Sequence, residues 1–156
     1  VADLLHRTRV VCRAVDAAWE IAEHHRIREA VFVREQRLFE GSDRDWRDDD
    51  PETIKVLAFS DGGPGGAVRL YRLDSGGLWQ GDRLAVLERW RARGLGGPLV
   101  RFAVATAAAA GGARMTAHIQ PPNVAFFERL GWAACGEQEI YVGVPHVPMA
   151  IDLTGR

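Results

Sequence analysis

Apolar residues recur along this chain at two periods, and the places where the period changes mark its elements. Residues 9–15 read as a short strand, with Asp16 as an N-cap for the helix that follows and ends near 33–36. Trp19, Ile21, Ala22, Ile27, Ala30, Val31 and Phe32 are the inward positions that helix predicts. Residues 55–59 and 67–73 read as two antiparallel strands, joined by a glycine-rich loop over 61–66. A strand over 82–87 comes next. An apolar helix then runs over 99–110, with Pro98 at its first position and Gly111-Gly112 as its stop. Its buried face is Leu99, Val100, Ala103, Val104 and Ala107, at helical spacing. Residues 113–120 form a fifth strand, ended by Pro121-Pro122. Asn123 caps a further helix that stops at Gly131, and strands at 137–142 and 147–153 flank a turn over 143–146.

Composition narrows the function classes more than it names one. With 156 residues the chain is most simply one domain over 1–156, long enough to bury a real core. A net charge of −1 favours neither nucleic acid nor an anionic membrane as partner. No apolar run reaches spanning length and no signal-peptide pattern stands out. Cys12 and Cys135 form no metal or redox motif, which points to a reducing, cytoplasmic setting.

The candidate chemistry centres on residues 82–111, in the order strand, glycine-rich turn, helix. Glycines let a backbone approach a ligand, and the free N–H groups of a helix start attract phosphate. Arg91 and Arg93 add charge beside Gly94, Leu95, Gly96 and Gly97. A tight strand-to-helix turn without a ligand is the plain alternative. The turn is neither a Walker loop nor a Gly-x-Gly-x-x-Gly fingerprint. Two other features invite a reading. His24-His25 reads as a polar helix face rather than a metal site, and no metal is expected. Asp43, Asp45, Asp48, Asp49 and Asp50, opposed locally by Arg44 and Arg47, are either a solvated loop or a mouth that attracts a cationic amine.

Arg91-x-x-Gly94-x-Gly96, following an apolar strand that ends at Val86, resembles the acetyl-CoA signature of the GNAT superfamily of N-acetyltransferases. Residues 123–132 resemble that superfamily's second signature. Arg28-Glu29-Ala30-Val31-Phe32-Val33-Arg34-Glu35-Gln36 and the later Gly143-x-Pro145-His146-x-x-Met149 resemble the ElaA-like subgroup. Acyl-homoserine-lactone synthases share something like the first of these and share the fold. The resemblance covers roughly the whole chain. It implies a single GNAT-like α/β (α+β) domain with a mixed, mostly antiparallel sheet flanked by helices. It also implies acetyl-CoA as co-substrate and an unidentified amine as acceptor. A homodimer is left open.

By that resemblance the strands ending near Leu87 and His118 splay apart, and the pantetheine arm sits between them. Leu84, Ala85 and Val86 then line the arm, residues 91–97 hold the pyrophosphate, and Asn123 with Phe126 or Phe127 lies along its other side. The chemistry is attack of a neutral amine on the acetyl thioester. It needs a base, for which Glu35 is the candidate, and a backbone N–H near Val86 for the oxyanion. It also needs an acid for the departing thiolate. Many GNAT enzymes have tyrosine where this chain has Phe127, which cannot donate a proton. Tyr141 or His118 can substitute, or the thiolate leaves unaided. Structural roles for Glu35, His118 and Tyr141 stand beside these. A non-catalytic acyl-CoA sensor competes as a reading. An acyl-homoserine-lactone synthase fits less well, because the chain is short and its coenzyme turn strong.

Overall fold

The computed structural model describes residues 9–156. Strand β1 (Val10–Val15) leads into helix α1 (Ala18–Arg28), which continues as a π-helical segment over Glu29–Glu35. Then come β2 (Ile54–Ser60), β3 (Gly63–Arg72), β4 (Leu78–Val86), helix α2 (Gly96–Ala109) and β5 (Arg114–Ile119). Helix α3 (Val124–Arg129) is followed by β6 (Ala133–Ala134), β7 (Glu139–Tyr141) and β8 (Val144–Asp152). The sheet order is β1-β2-β3-β4-β5-β8-β6, with β7 paired to β8. Among the described residues only β4 and β5 run parallel, so the sheet is mixed and mostly antiparallel, as the sequence implied.

Alternation along the strands builds two cores, one on each face. Val56, Ala58, Val68 and Leu70 point toward α2 and pack with Leu99, Ala103 and Ala107. Leu57, Ala67 and Ala85 point the other way, toward Ile27, Val31 and Phe32 of the first helix and its extension. The five residues read as the inward face of α2 are all buried. Pro98 lies at the third position of that helix rather than the first. Its missing N–H still falls among the four donors that a helix start leaves free.

Helix α1 departs from its pattern. Its N-cap is Ala17, with no side-chain bond, and Asp16 caps nothing. Trp19 is 59% exposed and Ala22 is exposed, whereas Glu20, His24 and Arg28 are buried. These three recur every four residues, so the inward stripe is real but polar. The histidine pair is therefore not a polar outer face: His24 and His25 are both buried. Among the described residues no cluster of histidine, cysteine and carboxylate side chains could hold a metal.

The glycine-rich run over 61–66 is also not a loop. Only Asp61 and Gly62 turn, both at positive φ, the geometry of a tight two-residue hairpin. Gly65 and Gly66 belong to β3. A Cβ on Gly65 would lie 2.6 Å from the Trp90 ring, and one on Gly66 would lie 2.8 Å from Leu99 Cδ1. These glycines make room for the turn and the helix that follow β4. Gly65→Ala is expected to cost about 1–3 kcal/mol through overpacking, read as a lower urea midpoint. An unchanged midpoint would mean Trp90 is not held against this strand. The second predicted turn is likewise shorter: Val142-Gly143 turns, and Val144–Asp152, with His146, is strand. The short strand β6 had no counterpart in the sequence reading.

Candidate active site

Strands β4 and β5 pair only at Leu78↔Arg114, Trp79↔Met115 and Gln80↔Thr116. Beyond that point they separate. The cause lies on the other side of β4. Its register with β3 slips between Ala67↔Ala85 and Arg69↔Asp82, and Arg83 sits there at φ 53°. A bulge of this kind bends its strand. Positive φ at a non-glycine residue is costly and persists where the surroundings enforce it. Here the Arg83 guanidinium donates to the Asp43 carbonyl at 2.9 Å and to its carboxylate at 3.1 Å.

Asp43 belongs to a buried charged network. Arg28, fully buried, donates to Asp43 at 2.8 Å and forks onto Asp48 at 2.7 and 3.0 Å. Arg69, also fully buried, donates to Asp82 at 2.8 Å and to Asp45 at 2.7 Å. Lys55 Nζ donates to the Asp48 carbonyl at 3.0 Å. Arg28, Arg69, Arg83 and Lys55 thus face Asp43, Asp45, Asp48 and Asp82. Burial opposes charge at Asp48, yet the Arg28 fork holds its carboxyl well below the usual carboxylate range. The same contest leaves Arg69 well above its ordinary value, through Asp82 and Asp45. The acidic run is therefore not a free negative field, and of its five aspartates only Asp49 and Asp50 pair with no arginine among the described residues. Asp43, Asp45 and Asp48 are spent on arginines within the fold, and they pin the bulge that opens β4 from β5.

His24 joins this network from α1. Its Nε2–H donates to the Val68 carbonyl at 3.0 Å, since a carbonyl can only accept. That leaves Nδ1 as an acceptor facing Arg28 Nη1 at 3.4 Å. Burial pulls its pKa down to about 3, with Arg28 adding to the effect. Burial and Arg28 take His25 down to about 4.

The splay encloses a cavity of about 150 Å³ that passes through the sheet. Leu84 of β4, Ala117 and Ile119 of β5, and Val100 and Ala103 of α2 form its apolar wall on the α2 side, with Phe127 and Asn123 beside them. Phe32, Gln36, Leu38 and Phe39 border it on the α1 side. Asp82, His118, Tyr141 and His146 supply its ionisable groups besides Arg83. The His118 and Tyr141 rings stack with centroids 4.0 Å apart, and His146 meets Tyr141 edge-on at 5.4 Å. His118 Nδ1 is 3.1 Å from Glu139 Oε1, at ion-pair distance but without hydrogen-bond alignment.

Of the residues the sequence singled out, Leu84, Asn123, Phe127, His118 and Tyr141 come together on this wall. The others lie outside it. Ala85 turns its side chain into the core beneath α1. Val86 packs partly against the other core, and its carbonyl accepts from Arg91 Nε at 3.1 Å. Glu35 does not reach the cavity: it forms a two-pronged ion pair with Arg91 at 2.5 and 2.6 Å. That hydrogen bonding pulls its pKa below the usual value, which weakens it as a base. Arg93 is paired with Asp61. Around them Glu88–Arg93 form a 3-10 turn, Gly94 is left-handed at φ 70°, and Gly96 starts α2. The Phe126 ring tip lies 3.4 Å from where a Cβ on Gly96 would stand.

The site is thus a strand, turn and helix, made by β4, Glu88–Arg93 and α2, beside a splayed parallel pair. Residues 40–153 match the family described as Acetyltransferase (GNAT) domain. The chain belongs to the GNAT acetyltransferase family. A Bacillus subtilis (strain 168) protein, the uncharacterized N-acetyltransferase YjcF, is 30% identical over 127 residues, covering 81% of this chain and 88% of that one. The crystal structure of Escherichia coli ElaA superposes with a TM-score of 0.81 at 19% identity, over 92% of this GNAT chain and 99% of its own. An aminoglycoside 6'-N-acetyltransferase complexed with coenzyme A superposes at 0.75 and 17% identity, over 94% and 98%. These two likenesses establish the GNAT fold.

The sequence places His146 in a turn that approaches the pocket, whereas it stands on strand β8, and the sequence reading gave Asp82 and Arg83 of the cavity no role. The signal for the strand was present, since Val144, His146 and Pro148 fall on alternate positions of a strand. Among the described residues no helix is long and apolar enough to cross a membrane.

Proposed function

We propose that this chain moves the acetyl group of acetyl-CoA to a primary amine of a small molecule or peptide, as an ElaA-like member of its family. The observation that carries the reading is the splay of β4 from β5 with the glycine turn beside it. Leu84 lines the pantetheine arm with its side chain, while Ala85 and Val86 act through their backbone. The backbone over residues 91–97 receives the pyrophosphate, through amides other than that of Gly94, which donates to the Arg91 carbonyl at 3.3 Å. Arg91 and Arg93 frame the turn, each already neutralised by a carboxylate, so the amides and the dipole of α2 supply most of the attraction. Asn123, just before α3, and Phe126 and Phe127 on it flank the arm. A backbone N–H near Val86 meets the thioester oxygen. Tyr141, on the cavity wall where Phe127 has no proton to give, protonates the leaving thiolate, with His118 stacked behind it.

Acetyl-CoA or coenzyme A at roughly a hundred times its dissociation constant is expected to stabilise the fold by about 2.7 kcal/mol. Gly96→Asp removes that shift, because it sets a carboxylate where phosphate approaches. No thermal shift with either ligand in a folded sample would sink the reading. Turnover, followed as thiol released from acetyl-CoA with a panel of primary amines, separates an enzyme from a sensor. Phe127 favours the sensor as second reading, and a sensor shows the shift without the thiol.

A further inference from the structure

The cavity needs a group that takes a proton from an ammonium, and Glu35 is not there. Three candidates line the wall. Asp82 is occupied: Oδ1 accepts from Arg69 Nε at 2.8 Å, and Oδ2 accepts from Arg69 Nη2 and from the Tyr71 hydroxyl, each at 2.8 Å. His118 stacks on Tyr141, the proposed acid, and its Nδ1 lies near Glu139 without hydrogen-bond alignment, so no partner fixes its tautomer. His146 differs from both. It is 6% exposed, and its Nδ1 lies 3.0 Å from the Val144 carbonyl. A carbonyl only accepts, so Nδ1 carries the hydrogen and Nε2 of the neutral ring keeps a free lone pair.

Resting on the acetyltransfer reading above, we infer that His146 is the proton acceptor of the reaction, with its tautomer set by Val144. The acceptor enters as R–NH3⁺ and gives one proton to His146 Nε2. The neutral amine attacks the thioester carbon, so a C–N bond forms. The C–S bond then breaks and the sulfur leaves with its electron pair. Tyr141 gives its proton to that thiolate and regains one from the positively charged amide nitrogen. His146 releases its own proton to water, and the products are the amide, coenzyme A thiol and one proton.

The decisive variant is His146→Asn. Its side-chain amide stands where Nδ1 stands and keeps the bond to Val144, while Nε2 is gone. With benzylamine, cadaverine and a lysine-containing peptide as probe amines, kcat is expected to fall about 10²- to 10³-fold. The coenzyme A thermal shift should stay unchanged. The break that His146 sets on the acidic limb of the kcat/KM profile should be lost in the variant, whose rate then climbs with pH toward the pKa of the amine itself. The groups that face His146 and bear on that limb are Tyr141 and Glu139 on β7, His118 on β5, and Asp82 and Arg83 on β4. His146→Gln, read the same way, serves if the asparagine variant does not fold. An active variant within threefold of the parent, or one whose acidic limb breaks at the same pH as the parent's, overturns the assignment of His146 alone. A parent that binds coenzyme A yet turns over none of the probes overturns the acetyltransfer reading, and the assignment falls with it.

Discussion

Asp48→Asn is expected to lower the unfolding free energy by about 3–5 kcal/mol, and Asp49→Asn by less than about 0.5 kcal/mol. The two residues are neighbours in a run of like charges, so composition alone makes them equivalent. The structure does not. Asp48 receives both prongs of the Arg28 fork, lies 3.2 Å from Arg69 and 3.9 Å from Lys55, and accepts the Asp45 amide. Its side chain is 5% exposed, and the Arg28 it serves is 0% exposed. Asparagine keeps the size and one acceptor oxygen but removes the charge, so Arg28 is left buried with only Asp43 opposite. Asp49 is exposed. For a chain of this size the first change corresponds to a fall in Tm of roughly 10 °C. Thermal melts of the two variants side by side test the claim, and equal small shifts would refute it. Replacing an entire buried pair with apolar residues is a different experiment, because buried ion pairs are not in themselves stabilising.

Acid is expected to destabilise the fold well before the carboxylates titrate. His24 and His25 are held neutral in the folded state, near 3 and 4, against about 6.5 when unfolded. Their folded values are depressed, so the unfolded chain binds more protons in that window. The stability that comes from keeping them neutral is complete above about pH 6.5 and is lost as pH falls toward 4 and then 3. For His24 alone this is on the order of 3 kcal/mol by pH 4. Its geometry says why: a second proton would sit on Nδ1, against the Arg28 guanidinium. Asp48 and Asp45, depressed by their arginines, add to the loss only at lower pH. Urea unfolding between pH 7 and 4.5 should therefore show a steep decline that His24→Gln flattens. A stability constant over that range would contradict the burial of both rings.

The apolar periodicity of α2 was fully legible, because a face that packs on a sheet needs nothing but period and size. The strands were legible for the same reason, to within a few residues. Helix α1 and its extension were legible only in part: Ile27, Val31 and Phe32 are buried as read, but beside them runs a buried polar stripe of Glu20, His24 and Arg28. What makes that stripe tolerable is Val68, Asp43 and Asp48, which lie 15 to 44 positions away in the chain. Local pattern carries no trace of partners at that distance. The acidic run misled for the same cause. Of the cavity, the motif residues on β4 and α3 could be named beforehand. Glu35 could not be placed, because its bond to Arg91 spans 56 positions. His146 was hidden by a turn that the structure makes two residues earlier.

The splay between β4 and β5 also bears on how the protein avoids its own kind. Past Gln80 and Thr116 the two strands no longer pair, so their facing backbone N–H and C=O groups lie open, apart from the Val86 carbonyl that accepts from Arg91. Such groups on the rim of a sheet recruit strands of other molecules and begin aggregation. Here they are set inside, between α2 on one face and the π-helical end of α1 on the other, around a gap of about 150 Å³. A helix on each face leaves a further strand little room to lie flat against either edge. The fold thus keeps two adhesive edges within reach of a slender ligand and out of reach of another chain.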